Sequence, residues 1–294
     1  MKKITSFVLT VALLISVCSF GGLTTMAEAA VGGHLTYTVS NSEATVTKCD
    51  TAASGVVTIP AVLGGCPVTS IDKYAFSECN KITGMIIPEG VKSIGFGAFW
   101  DCNQLDFIDI PETVTFIDAY AFKNCISLKS IKLPKGITVI SEMIFSGCSS
   151  LESIIIPYGV TYIQYGAFSE CRNLSGVVLP KTVTKIGNGG FVRCNKLTDV
   201  VYGGTEADIE LIDIGTANIT LTGAIWHYVI PGDITGDKEV DVLDLVYLQR
   251  YLAKWQGYDE LLLLEMGDTT MDGVVNNFDM LDLLNKLAGN KKST

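Results

Sequence analysis

Histidine is almost missing from this chain: its 294 residues hold two, His34 and His227, far apart. Two imidazoles cannot build a multi-histidine metal site, and histidine acid–base chemistry has little to work with. Positive charge is scarce as well. Lys and Arg total 21 against 31 Asp and Glu, a formal charge of −10 with no basic tract. That balance argues against nucleic acid as the main partner. Charged residues of both signs make up only 18% and apolar residues 48%, so a sizeable core is expected rather than long-range disorder. The sequence also lacks Gly-x-Ser-x-Gly, His-Glu-x-x-His and phosphate-binding glycine motifs.

Long apolar runs are confined to the N-terminus. Lys2 and Lys3 precede Phe7-Val8-Leu9-Thr10-Val11-Ala12-Leu13-Leu14-Ile15-Ser16-Val17, and Ala27-Glu28-Ala29 supplies small residues at a cleavage site. Residues 1–29 therefore read as a secretory signal peptide cut after Ala29. The run is short for a membrane span, and membrane insertion is not expected. Cleavage would move the charge from −10 to −11 and, by removing Cys18, leave eight cysteines.

The sequence then repeats every 23 residues. Phe76, Phe99, Phe122, Phe145, Phe168 and Phe191 keep that interval; so do Cys79, Cys102, Cys125, Cys148, Cys171 and Cys194. Ile71, Ile94, Ile117, Ile140, Ile163 and Ile186 form a third column, and Pro88, Pro111, Pro134, Pro157 and Pro180 a fourth. Columns in phase over six units predict a solenoid. Alternation such as Leu128-x-x-Ile131-x-Leu133 fits a short strand with one buried side, ended by Pro134. The Ile-x-x-x-Ala-Phe-x-x-Cys stretch, as in 117–125, turns back and is too short for more than one or two helical turns. Strands of successive units would stack in parallel about 4.8 Å apart, with the Phe column as spine. The in-phase cysteines read as buried free thiols able to donate to backbone carbonyls. Cys49 and Cys66 lie outside the column, and a disulfide between them stays open.

On these columns the region 31–230 resembles the BspA-like class of leucine-rich repeats, found in bacterial surface and secreted proteins. The resemblance implies an N-terminal cap before Ile71 and a C-terminal cap over 203–230. Outward strand positions give the column Ile86, Asp109, Lys132, Ile155, Val178 and Val201, beside Thr83, Asp106, Lys129, Glu152, Ser175 and Thr198. Phe107 adds an outward aromatic. This face is read either as a solvated sheet or as a surface for a further protein ligand. It has no row of aromatics suited to stacking on sugars.

Beyond residue 230 the period ends. Residues 232–290 hold twelve acidic and four basic residues. Two acidic segments begin 35 residues apart, at Asp233 and Asp268. Oxygen side chains fall at loop positions 1, 3, 5, 9 and 12: Asp233, Thr235, Asp237, Asp241 and Asp244, then Asp268, Thr270, Asp272, Asn276 and Asp279. Glu239 and Val274, at position 7, would offer backbone carbonyls. This is the spacing with which a 12-residue loop wraps calcium, and two Ca²⁺ ions are expected. Val240 and Val275 at position 8 should tuck each loop into a local core. Helices are expected over about 245–253, with Leu245, Leu248 and Leu252 on one face, and about 280–287, with Leu283, Leu284 and Leu287.

The doubled motif is similar to a type I dockerin over 232–289. The resemblance implies calcium-dependent docking into a cohesin module of a scaffoldin, as in cellulosomes, the polysaccharide-degrading assemblies of anaerobic bacteria. It also implies that Val242, Leu243, Gln249, Arg250 and Lys254, with Asn277, Phe278, Leu284, Asn285 and Gly289, read the cohesin. The best-known dockerins carry Ser-Thr where this chain has Val242-Leu243 and Asn277-Phe278, which implies a different cohesin partner.

The expected architecture is thus α+β: a signal over 1–29, a leucine-rich-repeat solenoid of parallel strands and short helical turns over 30–230, and a small all-α double calcium-loop module over 231–294. The function expected is non-catalytic, secreted and cellulosome-associated, with no nucleic acid and no indication of a homo-oligomer. The alternative is a cell-surface adhesin or host-interaction protein, docked to an assembly unconnected with polysaccharide breakdown. A glycosidase needs two carboxylates about 5–10 Å apart in a cleft, and Asp106, Asp109 and Glu152 belong to an open strand face.

Overall fold

A computed structural model describes residues 25–30, 35–228, 232, 240, 245, 246, 248, 275 and 277–290. The chain enters through an antiparallel meander of β1 (Thr25–Ala30), β2 (Leu35–Ser40) and β3 (Glu43–Cys49). Strand β1 covers the expected cleavage site and pairs with β2. A hairpin follows, β5 (Val62–Leu63) to β6 (Cys66–Ile71), joined by Gly64 and Gly65 at φ +58° and +78°. Two successive positive φ values are what a tight two-residue hairpin requires. Strand β6 then runs parallel to β3 and starts the solenoid.

The coils contribute two short strands each, except that residues 128–134 form none. One ladder runs β4 (Gly55–Thr58), β7 (Ile82–Ile86) and β9 (Phe107–Asp109). It resumes as β12 (Ser153–Ile155), β14 (Gly176–Leu179), β16 (Asp199–Tyr202) and β18 (Ile225–Tyr228). The other runs β6, β8 (Ser93–Ile94) and β10 (Phe116–Ile117), then β11 (Val139–Ile140), β13 (Tyr162–Ile163), β15 (Lys185–Ile186) and β17 (Asp213–Ile214). Pairing is parallel and in phase with the repeat, as in Met85 with Ile108 and Val177 with Val200.

Both ladders lapse at the junction between the coils of β10 and β11; residues 128–134 form no strand, so the longer-strand ladder stays open at the next junction as well. No strand pairing joins β9 to β12 or β10 to β11 among the described residues. Elsewhere the carbonyl that ends the short strand takes a backbone N–H from the next coil, as Ile94 takes Asp118 and Ile140 takes Gln164, each at 2.9 Å. At the junction the Ser141 hydroxyl takes the Ile117 carbonyl instead. A side-chain donor thus stands at the seam where the other coils use a backbone one. We call this junction the seam.

The returning side is built from hydrogen-bonded turns, and no α-helix forms there, which sharpens the expectation of short helical turns. Two positions per coil lie in the left-handed region: Tyr74, Gly97, Tyr120, Met143, Gly166 and Gly189, and Glu78, Asp101, Asn124, Gly147, Glu170 and Arg193. The alternation turns every second N–H toward the next coil. Thus Tyr74, Phe76 and Glu78 donate to the carbonyls of Phe96, Ala98 and Trp100 at 2.7–2.9 Å, and this third ladder continues across the seam from Phe122 to Ile144.

The core is the set of columns expected. The six Phe rings are fully buried and stacked, with centroids 5.0–5.5 Å apart and planes within 7–16°. Cys102, Cys125, Cys148, Cys171 and Cys194 each donate Sγ–H to a Phe carbonyl of the preceding coil at 3.0–3.2 Å. Burial pushes Cys148 and Cys194 up to about 12 and raises Cys102, Cys125 and Cys171 as well. These are inert thiols. Cys49 and Cys66 are also buried, and no disulfide joins them.

The C-terminal cap holds α1 (Glu206–Ile209) and α2 (Ile219–Thr222). Buried Asn218 closes the turn ladder: its Oδ1 accepts the Phe191 N–H at 3.0 Å, and its Nδ2 donates to the Gly187 and Gly215 carbonyls.

The C-terminal module has its own core. Leu248 and Leu283 are buried, with Val240, Leu245, Val275, Met280 and Leu287 packed on them. The two position-8 valines therefore meet one core, as expected. Helix α3 (Asn277–Asn290) is longer than the expected 280–287. Leu284 is exposed, a correction to its placement on the apolar face, while Leu283 carries the burial. At φ +100°, Gly232 faces Val240 and Leu283, and a Cβ there would lie 3.1 Å from each.

Candidate interaction surfaces and calcium module

The outward strand column changes character after Lys132. Ile86, Asp109 and Lys132 are exposed, whereas Ile155, Val178 and Val201 are half-buried. The β-branched half is screened by its own ladder neighbours, so the apolar end offers less free surface than the sequence suggests. Its companions Thr83, Asp106, Lys129, Glu152, Ser175 and Thr198 are exposed. Two ion pairs cross the polar part, Lys129–Asp106 at 3.3 Å and Lys132–Glu112 at 3.1 Å. Phe107 is exposed and lies across Gly84, where a Cβ would come within 2.3 Å of its ring. At the end of the ladder His227 Nε2 and Asp199 Oδ1 are 2.8 Å apart in the open. The His227 ring, and then the Thr198 hydroxyl, hold the Asp199 carboxyl below the usual carboxylate range.

The turn side carries a surface that the periodic columns did not reveal. Tyr74, Phe96, Trp100 and Tyr120 touch in a cluster, with centroids 5.0–6.1 Å apart. Lys123 Nζ caps it, 4.7 Å from the Trp100 centroid and 5.2 Å from that of Tyr120. The Tyr120 hydroxyl donates to Glu142 at 3.2 Å. Tyr74 is exposed, whereas Phe96, Trp100 and Tyr120 are half-buried against one another. Only Tyr74 and Tyr120 belong to a 23-residue column; Phe96 and Trp100 are out of phase, which hid the cluster.

At the seam lies a cleft of about 430 Å³, lined in part by Phe116, Asp118, Ser141 and Gln164. Asp118 is its single carboxyl group, short of the pair that acid–base hydrolysis requires.

The expected calcium ligands Asp233, Thr235, Asp237, Glu239, Asp241, Asp244, Asp268, Thr270, Asp272, Val274 and Asn276 lie outside the described residues, as do Val242, Leu243, Gln249, Arg250 and Lys254. Asp279 falls in the first turn of α3, as do Asn277 and Phe278. Asn285 and Leu284 are exposed together on α3, and Gly289 is near its end. The structure thus brings five of the ten expected cohesin-reading residues onto one helix.

Family models match two parts of the chain: a BspA type leucine rich repeat region, in six copies over residues 69–198, and a dockerin type I domain over residues 231–288. The chain carries a BspA-type leucine-rich-repeat region and a type I dockerin. None of the curated proteins matches it. Among solved structures it is similar to the T. pallidum leucine-rich-repeat protein, at 23% identity and a TM-score of 0.57, covering 78% of this chain and 97% of that one. That likeness establishes the repeat fold. A leucine-rich-repeat protein from Bacteroides ovatus matches at 22% identity and TM-score 0.36, over 68% of this chain and 71% of that one. One from Bacteroides capillosus matches at 30% and 0.33, over 45% and 84%.

The dockerin implies a cohesin as partner and is a calcium-binding module type. Repeat region and dockerin are both non-catalytic module types built for protein interaction, typical of extracellular proteins. Among the described residues no helix is long and apolar enough to cross a membrane.

Proposed function

We propose that this is a non-catalytic secreted protein whose dockerin holds it on a scaffoldin cohesin in the presence of calcium. Its repeat rod then offers a protein-contact surface within a cellulosome-like assembly linked to polysaccharide breakdown. The observation that carries the reading is the dockerin match over 231–288, with Val240 and Val275 packed on the Leu248–Leu283 core. One core under both loops suits two calcium sites folding as a unit, each ion adding stability to a module with few apolar residues. Asp233, Asp237, Asp241 and Asp244 would hold one ion, and Asp268, Asp272, Asn276 and Asp279 the other. Leu284 and Asn285, exposed side by side on α3, suit the cohesin contact.

Signal cleavage after Ala29 would take β1 off the sheet and leave β2 as its edge. The half-exposed Tyr74–Phe96–Trp100–Tyr120 cluster supports a second protein partner on the rod, since aromatic residues are enriched at interfaces. That same observation favours the adhesin reading if the rod's partner proves to be a host or cell-surface protein.

The test is capture of surface and secreted proteins from the source bacterium on the immobilised chain, with millimolar Ca²⁺ and with chelator. A cohesin-bearing scaffoldin retained only with Ca²⁺ is the expected result. No such partner, from material shown to contain intact cohesins, would sink the docking role.

A further inference from the structure

The first thiol of the cysteine column differs from the five behind it. Those five are each committed to a Phe carbonyl of the coil before. Cys79 has no phenylalanine before it, because Ala53 stands 23 residues ahead of Phe76. Its Sγ reaches the Asp50 carbonyl at 3.9 Å, and Cys49 Sγ donates to that same oxygen at 3.6 Å. Two thiols thus converge on one acceptor. The backbone fixes the approach: the Cys49 N–H donates to the Ala75 carbonyl at 2.6 Å, four residues before Cys79. Both side chains are buried, with 2% and 0% exposure.

The pair is also polarised. The neighbouring Cys49 side chain holds Cys79 below the usual thiol value, and the same contact followed by burial raises Cys49 far above it.

We propose that Cys49 and Cys79 are a covalent modification site, oxidised to a disulfide that staples the N-terminal cap to the first coil of the column. The oxidant is a disulfide compound, by thiol–disulfide exchange during folding, before the cap closes over Cys79. The Cys79 thiolate attacks one sulfur of the oxidant and forms a mixed disulfide. The other sulfur leaves and takes the proton Cys79 gave up. Cys49 then loses its proton and attacks the Cys79 sulfur. The mixed bond breaks, and the second oxidant thiol leaves with that proton. Two protein thiols become one disulfide, and the oxidant is reduced to two thiols. The five thiols behind do not compete, being buried and bound to carbonyls. The proposal is independent of the docking role.

The test folds the full chain with glutathione disulfide, alkylates it, digests it without reductant and maps linked peptides by mass spectrometry. The expected result is a peptide pair joining Cys49 to Cys79, two fewer alkylated thiols than in the reduced chain, and a higher urea midpoint. Cys66→Ser keeps the linkage, and Cys49→Ser or Cys79→Ser abolishes it. A Cys49–Cys66 linkage, or a full complement of thiols after glutathione disulfide, overturns the proposal. The map is read on the unaltered chain, so a variant that fails to fold does not blunt it.

Discussion

Thr220 donates its hydroxyl to the Phe191 carbonyl, the acceptor that in earlier coils takes a cysteine thiol. With Asn218 on the Phe191 N–H, the cap supplies by side chain what a further coil would supply by repetition. A solenoid must end, and its last orphaned polar groups need partners. Asn218→Ala should cost about 2–4 kcal/mol, since it strands a buried N–H and two carbonyls. Urea denaturation measures the loss, and hydrogen exchange should locate it at the Phe191 amide. A change under about 0.5 kcal/mol would contradict the capping role.

Backbone handedness gives a pair of opposite predictions. Glu78 is exposed at φ +62°, a conformation that costs an L-residue about 1–2 kcal/mol. Glu78→Gly should stabilise the rod by roughly 0.5–1 kcal/mol, after the entropy that glycine gains on unfolding is offset. Gly147 occupies the same column at φ +79°, and a Cβ there would meet Asn124 Oδ1 at 2.2 Å. Gly147→Ala should destabilise by about 2 kcal/mol or more. Thermal melts of the two variants should move in opposite directions.

Glu170 accepts from Arg172 at 3.1 Å and Arg193 at 2.7 Å, and these bonds hold its carboxyl below the usual range. A depressed carboxyl stabilises fully above its unfolded value, near 4.3, and loses that contribution as pH falls through the lowered one. The site is about one-third exposed, so the contribution is a few tenths of a kcal/mol. Arg193→Met should be slightly less stable than the parent at neutral pH. That gap should close in acid, which stability curves recorded down to about pH 3 would reveal.

Gly232 sets the entry to the dockerin core. Gly232→Ala would force an L-residue to φ +100° against Val240 and Leu283, a strain of about 1–2 kcal/mol. Where calcium binding and folding are linked, apparent affinity should fall roughly 5–30-fold. Calcium calorimetry on the full chain checks it, and unchanged affinity would mean that the loops fold independently of this core.

The Phe, Ile and Cys columns were legible because their chemistry is constant at constant spacing, and burial demands that constancy. The left-handed columns were not, since Glu, Asp, Asn, Gly and Arg all occupy one of them and only the backbone repeats. The aromatic cluster was hidden by Phe96 and Trp100, which fall between columns. Leu283 and Leu284 look alike in sequence, and only the helix phase separates core from surface. The seam depends on Ser141, whose hydroxyl replaces a backbone donor at a position where other coils carry Asp, Gly or Gln.

That single hydroxyl has a mechanical consequence. In a solenoid each coil leans only on its neighbours, so load applied along the axis passes through every junction in series. At the seam it passes through the Phe stack and the turn ladder, without strand pairing on either side. A rod pulled at its two ends should therefore part first between residues 117 and 139, yielding two shorter springs rather than one long one.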